Sequence, residues 1–409
     1  MKTNSYTKSV RNNLALVLMA AAALTMLTSN NMVSADVSRD SKTRVESFSY
    51  DVNGRSVTLG NIAGEITLSP SSSDKIEITA TVVAGGRDAQ DNLDLIKFED
   101  VVERGVLKLR TVYPTDEYDK YIYQRKGGGN SSSSFRYQGE KVKVGSGRRF
   151  RDGLELHVDF DIQLPADVTF NLVNGAGQIT AVGIDGDIKL KNRSGQVSSN
   201  NTSGDITLDT GSGAITGIQH RGDLSADSGS GRVKIRDVSG NVLADTGSGS
   251  ISVENVGGEV NADTGSGRVD VRDAGGEVRV DTGSGRVTID GATGSLNVDT
   301  GSGSIDIDNW MGGSDLDLDT GSGSISARGD FSAVERLKAD TGSGSISLIS
   351  NTVPNMKIDV SSRNIEVDFP DMSNIKQSRS SFRGTIGSGT GRGDLSSGSG
   401  RITFRQGDT

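Results

Sequence analysis

The sequence contains no cysteine, 5 prolines and 2 histidines among 409 residues, and its aromatic content is 4%. Without cysteine there are no disulfides, so stability has to come from packing and hydrogen-bonded ladders alone. So few large side chains exclude the thick core of a globular enzyme, whereas a thin core repeated many times needs only Val, Ile, Leu and Ala. The two histidines, His157 and His220, fall in strand-like contexts, and no Ser/His/Asp set stands apart from the surrounding pattern. A non-enzymatic chain with no cofactor is therefore expected, because site chemistry must argue catalysis. The formal net charge of −9 argues against a general nucleic-acid binder.

Long apolar runs are also scarce. Residues 14–27 form one, too short to span a bilayer comfortably; Lys2, Lys8 and Arg11 precede it and Val33-Ser34-Ala35 follows. That order predicts a signal peptide over 1–35. Its removal takes three cations and no anions, moving the net charge from −9 to −12. No cysteine follows the run, so no lipoprotein anchor is expected. The mature chain is expected to be exported to the periplasm, cell surface or medium, without a transmembrane segment.

Glycine is abundant, with 55 residues, and it is periodic. Asp-Thr-Gly-Ser-Gly or a close variant begins at Asp209, Asp227, Asp245, Asp263, Asp281, Asp299, Asp319 and Asp340, at intervals of 18 that lengthen to 20 and 21 at the end. Gly177 and Gly195 extend the register backward. In residues 268–285, Val269, Val271, Ala274, Val278 and Val280 alternate with Arg268, Asp270, Arg272, Glu277, Arg279 and Asp281. Period-two alternation means strands, and the glycines at both breaks mean corners. One such unit buries too little to fold alone; stacked units build a continuous core. The expected fold is all-β: a β-solenoid, a two-sheet β-helix-like rod of about 18 residues per coil, with an N-terminal β region continuous with it.

The expected organisation is a β region over 36–113 with a short helix near 88–96, a basic Gly/Ser-rich flexible insertion over 114–152, a regular solenoid over 153–350, and irregular coils over 351–409. Asp161-Ile-Gln-Leu-Pro165, Val168-Thr-Phe-Asn-Leu172 and the repeated Gly-(Asp/Gln/Glu)-(Ile/Val) steps resemble the DUF4097 family of β-strand-repeat proteins, often described as adhesins. The resemblance covers most of the mature chain and implies fold rather than chemistry; it also admits an envelope-stress sensor or regulator as an alternative role.

Two candidate sites follow. In-register stacking places the eight aspartates in one column, where repulsion must be offset. Capping of the following Gly-Ser-Gly turn by each Asp is the favoured reading; calcium binding is the alternative, although the spacing lacks the glycine frame of calcium-binding rolls. The insertion offers Lys120, Arg125, Lys126, Arg136, Lys141, Lys143, Arg148, Arg149 and Arg151, interleaved with Tyr118, Tyr121, Tyr123, Phe135, Tyr137 and Phe150. This basic segment suits anionic lipid, lipopolysaccharide or acidic glycan. Arg-Gly-Asp at Arg221, Arg328 and Arg392 is read as ordinary repeat corner. A polysaccharide-active β-helix enzyme is a further alternative. The sequence does not give the oligomeric state.

Overall fold

Alternation of small apolar and polar residues produces strands that stack in register, and the computed structural model shows the result over residues 41–124 and 132–407. The leader expected over 1–35 lies outside these residues. The chain is all-β, with one sheet of 16 strands, one of 17 and a small sheet of 3. The two large sheets run along the molecule as parallel ladders. In one, Asp209, Asp227, Asp245, Asp263 and Asp281 pair in succession. In the other, Val233, Ile251, Val269 and Val287 do so.

In strand Val269–Ala274 the residues Val269, Val271 and Ala274 are buried and Arg272 and Asp273 exposed. Strict alternation would put Asp273, not Ala274, inside. A one-residue bulge restores the register: Asp273 has φ 52°. The same left-handed conformation recurs at Asn201, Gln219, Asp237, Asn255 and Asn309. Short polar side chains, Asn and Asp above all, tolerate that region better than most. At the opposite corner glycine is obligatory, because a Cβ on Gly267 would overlap the carbonyl oxygen of Gly249 in the coil beneath.

Both ends of the rod are threaded out of sequence order. Near the N-terminal end, strand Ser56–Ala63 lies between Val106–Val112 and Val168–Ala176. Ile66–Pro70 lies between Leu156–Leu164 and Ile179–Val182. At the other end, Gly391–Ser397 is inserted between Arg336–Thr341 and Met356–Ser361. Arg401–Gln406 is inserted between Ile346–Ser350 and Asn364–Asp368. The last two strands of the chain are therefore inner ones. Strands Ser373–Gln377 and Ser381–Ile386 are antiparallel additions to that end. The lengthened coils are filled by aromatics: Trp310, Phe331, Phe404 and Phe369 touch in series, with ring centroids 4.7–5.8 Å apart.

The insertion departs most from expectation. A one-turn helix, Ala89–Leu93, precedes it. Within 114–152, strands Lys120–Ile122, Ser132–Tyr137 and Glu140–Gly145 form the small sheet. Tyr121, Tyr123, Tyr137, Val142 and Val144 are buried in the common core, and Phe150 is buried beside it. The described part of this segment is thus a packed flap, not a flexible loop. Its alternating Tyr and Val residues supply an apolar face that outweighs the Gly/Ser composition beside it.

Candidate functional site

The aspartate column is real, but it does not cap the corners. Asp227, Asp245, Asp263, Asp281 and Asp299 are exposed. Among the described residues none of the eight accepts a backbone N–H. The neighbouring residue does that work. Thr246 Oγ1 donates to the Gly231 carbonyl at 2.9 Å and accepts the Gly249 N–H at 3.2 Å. Thr264, Thr282, Thr300, Thr320 and Thr341 repeat the arrangement, as does Ser228. These hydroxyls are buried. Asn61, Asn174 and Asn192 continue the column toward the N-terminal end through their side-chain amides. A hydroxyl that both donates and accepts satisfies two otherwise orphaned backbone groups per coil.

The carboxylates form an exposed rail with little relief. Lys191 pairs with Asp209 at 2.8 Å at one end, and Lys338 reaches Asp319 and Asp317 at 3.2 Å near the other. Between them, burial first and the adjacent aspartates second hold Asp227, Asp245 and Asp299 above the ordinary carboxylate range. The opposite sheet is arranged differently: Arg236, Glu254, Arg272 and Asp290 alternate in sign down one column. No group of three or more His, Cys, Asp or Glu among the described residues is disposed to hold a metal ion.

The basic residues divide into three kinds. Lys120 pairs with Asp152, and Lys143 with Asp119 at 2.8 Å. Its bond to Asp152 raises the Lys120 ammonium above its usual range. Arg136 donates to the Gly139 carbonyl at 2.9 Å. Lys141, Arg148, Arg149 and Arg151 are exposed and make no salt bridge among the described residues. Arg148 and Arg149 lie in a single 3-10 turn, Arg148–Phe150, and Arg151 caps its end; burial of Phe150 anchors it. Arg125 and Lys126 lie outside the described residues.

The aromatics interleaved with these cations are structural. Tyr137 donates to the carbonyls of Thr111 and Gly60, and its ring meets Tyr113 edge-on at 6.0 Å. Tyr113 in turn donates to Asn61 Oδ1 at 2.7 Å. Phe135 closes over Gly175, where a Cβ would overlap its ring. The flap thus covers the N-terminal coils, and the outer column that begins beneath it at Gly60 and Val173 continues through Lys191 into the aspartates.

Below the flap lies a buried titratable pair. His157 is 5% exposed, 3.9 Å from Asp159 Oδ2, with the Tyr123 ring edge-on at 5.1 Å. Neither imidazole nitrogen has a hydrogen-bond partner. Burial lowers His157 to about 4 and raises Asp159 to about 6. Asp159 accepts the Glu65 N–H at 2.7 Å. His157 is closed off from solvent, whereas Asp159 keeps a partly exposed side chain. His220 is also buried, with Nδ1 3.0 Å from Thr202 Oγ1 and Nε2 3.1 Å from the Asp223 carbonyl. The two histidines therefore sit in different coils and share no site.

Sequence reasoning missed the left-handed column. Asn201, Gln219, Asp237 and Asn255, with His220, Arg221, Val238, Ser239 and Gly257, line a surface groove of about 470 Å³. The available signal was a polar residue recurring every 18 positions just before a buried one.

The family model for Toastrack DUF4097 matches residues 162–289 and 215–405, more than half of the chain. Among solved structures, a protein described as a candidate cell adhesion protein from Clostridium sporogenes ATCC 15579 is similar over 90% of this chain and 100% of that one. Its identity is 9% and the TM-score 0.18, values at which the likeness carries no argument. No curated protein matches.

Proposed function

This chain belongs to the Toastrack DUF4097 family, and from that premise and its surface chemistry we propose that it is a non-enzymatic, exported binding scaffold of the cell envelope. The rod has about 18 residues per coil and rises about 4.8 Å with each. It acts as a spacer, periplasmic or at the cell surface, and its basic flap is the end that attaches.

One observation carries this reading: exposed cations gather on the flap, while a column of aspartates runs along one sheet of the rod. Four unpaired cations, Lys141, Arg148, Arg149 and Arg151, sit on a flap packed over the N-terminal coils. The aspartate rail occupies the length of the rod beyond it. An anionic lipid, lipopolysaccharide or acidic glycan surface attracts the flap and repels the rail, so the rod stands on its flap end.

Co-sedimentation with vesicles containing phosphatidylglycerol tests this. Binding is expected at low salt, falling as ionic strength rises, and abolished in an Arg148→Glu/Arg149→Glu/Arg151→Glu variant that keeps its β signature. Binding unchanged by that variant overturns the reading. Cell fractionation tests export, and a cytosolic protein overturns that part.

A further inference from the structure

The groove over the left-handed column is separate from the flap and is not used by the function above. It is lined by Asn201, Gln219, Asp237 and Asn255 and, two residues further along the chain, by Arg221, Ser239 and Gly257, with His220 and Val238 buried between them. The volume is about 470 Å³.

Three features define what fits. First, the lining repeats. Successive coils bring amide, amide, carboxylate and amide into line, because the bulge fixes φ at 52–59° at each of these positions. Strand pairing stacks their neighbours His220 and Val238 directly. Each repeat offers both hydrogen-bond donors and acceptors at about the 4.8 Å spacing of paired strands. Second, the polar groups are mostly uncommitted. Asn255 Nδ2 donates to Asp237 Oδ1 at 2.8 Å, which orients that carboxylate, and Ser239 Oγ accepts the Gly222 N–H at 3.3 Å. Asn201, Gln219 and Arg221 make no side-chain hydrogen bond or salt bridge among the described residues. Third, charge is sparse: Asp237 is paired with Arg236 at 3.3 Å, which leaves the Arg221 guanidinium as the one unpaired charge among these lining residues, and burial keeps His220 below its usual range.

From this we infer that the groove is a binding site for a linear, uncharged glycan lying along the rod. Hydroxyls on successive sugar units pair with the side chains of successive coils. With a single unpaired guanidinium among amides, the lining gives an acidic chain little advantage. An extended peptide fits less well. Peptides add to a sheet by pairing with free backbone at an edge, and the strands under this groove are already paired on both sides. The groove also lacks the apolar pockets that hold alternate side chains.

The test is calorimetric titration of the whole protein with chitohexaose and cellohexaose, with hexagalacturonate and a polar hexapeptide alongside. The informative variant is Gln219→Gly/Asn255→Gly. Glycine keeps the positive φ, where alanine would add backbone strain unrelated to binding. We expect saturable binding of a neutral hexasaccharide, much weaker binding of its disaccharide, and a loss of at least about tenfold in the glycine variant at unchanged melting temperature. An Asn261→Gly variant on the opposite sheet should bind like the parent. The inference is overturned if neither neutral hexasaccharide saturates by about 10 mM, if the glycine variant binds equally well, or if the acidic oligomer or the peptide binds in preference. None of these outcomes bears on attachment through the flap, which the charge-reversal variant reads separately.

Discussion

The side-chain hydroxyl of Thr264 donates to the carbonyl oxygen of Gly249 at 3.0 Å, tying one coil to the coil before it. Thr264 Oγ1 in turn accepts the Gly267 N–H at 3.1 Å. Thr264→Val keeps the shape and removes both bonds, leaving two buried backbone groups without partners. A loss of about 2–4 kcal/mol is expected from urea denaturation. Thr264→Ser should be close to neutral, since Ser228 makes the same pair of bonds two coils away. Equal stability of the valine variant and the parent would show that the hydroxyl column does not lock the corners.

Asp245 should behave in the opposite way. Its carboxyl is held above the ordinary range by partial burial, then by Asp227 and Asp263. A carboxyl raised in the folded chain binds its proton more readily there than when unfolded. Stability therefore falls as pH rises through and above the usual aspartate range. Asp245→Asn removes that slope. The variant should be more stable than the parent at pH 7 by under about 1 kcal/mol, because the site is largely exposed and screened. The gain should shrink in high salt and vanish at pH 3. Calcium titration of the parent should show no stoichiometric binding; a clear stoichiometry would restore the calcium reading of the column.

His157 and Asp159 pull the acid stability in opposite directions. His157, lowered to about 4, contributes stability that is complete above its unfolded value near 6.5 and is lost as pH falls toward 4. Asp159, raised to about 6, makes the fold more stable as pH falls from 6 toward its ordinary value. Each shift corresponds to about 3 kcal/mol at most. Substitution should unmask the partner: His157→Phe should gain stability on acidification to pH 4, and Asp159→Asn should lose it. Chemical denaturation at half-unit pH steps reads both, and parallel profiles for the two variants would contradict the assignment.

Deleting residues 114–152 should destabilise the protein strongly. The flap buries Tyr121, Tyr137, Val142 and Val144, and its loss uncovers Thr111 and the carbonyl that Tyr137 satisfies. Loss of cooperative thermal unfolding is expected. A deletion variant melting within a few degrees of the parent would mean that the coils beneath are complete without it.

What the sequence shows depends on how local the signal is. Val269, Val271 and Val278 lie inside as their alternation requires, because burial on one face of a strand is a nearest-neighbour property. The roles within Asp-Thr were harder to read. Alternation does send Thr264 inward and Asp263 outward, but only a structure shows that the inward hydroxyl meets the carbonyl of the coil beneath. The flap was hidden by composition: the run over 127–134 dominates, while Tyr121 and Tyr123, and Val142 and Val144, keep the period of two. The groove-lining Asn201, Gln219 and Asn255 were visible as a recurrence, yet nothing local reveals the bulge that gathers them. The threading of the two ends left no trace in any window, since Ile346 meets Ile402 across 56 residues.

That threading dictates when the molecule can be finished during synthesis. The middle coils stack in the order in which they are made, each on its predecessor, so a growing chain can zip up behind the ribosome. The two ends cannot. Residues 56–70 find one of their two neighbouring strands only after residues 168–182 have emerged. At the far end, Met356–Ser361 and Asn364–Asp368 have no parallel partner until Gly391–Ser397 and Arg401–Gln406 slot in ahead of them. A nascent chain stopped short of residue 391 carries a rod whose last coil has nothing to rest on.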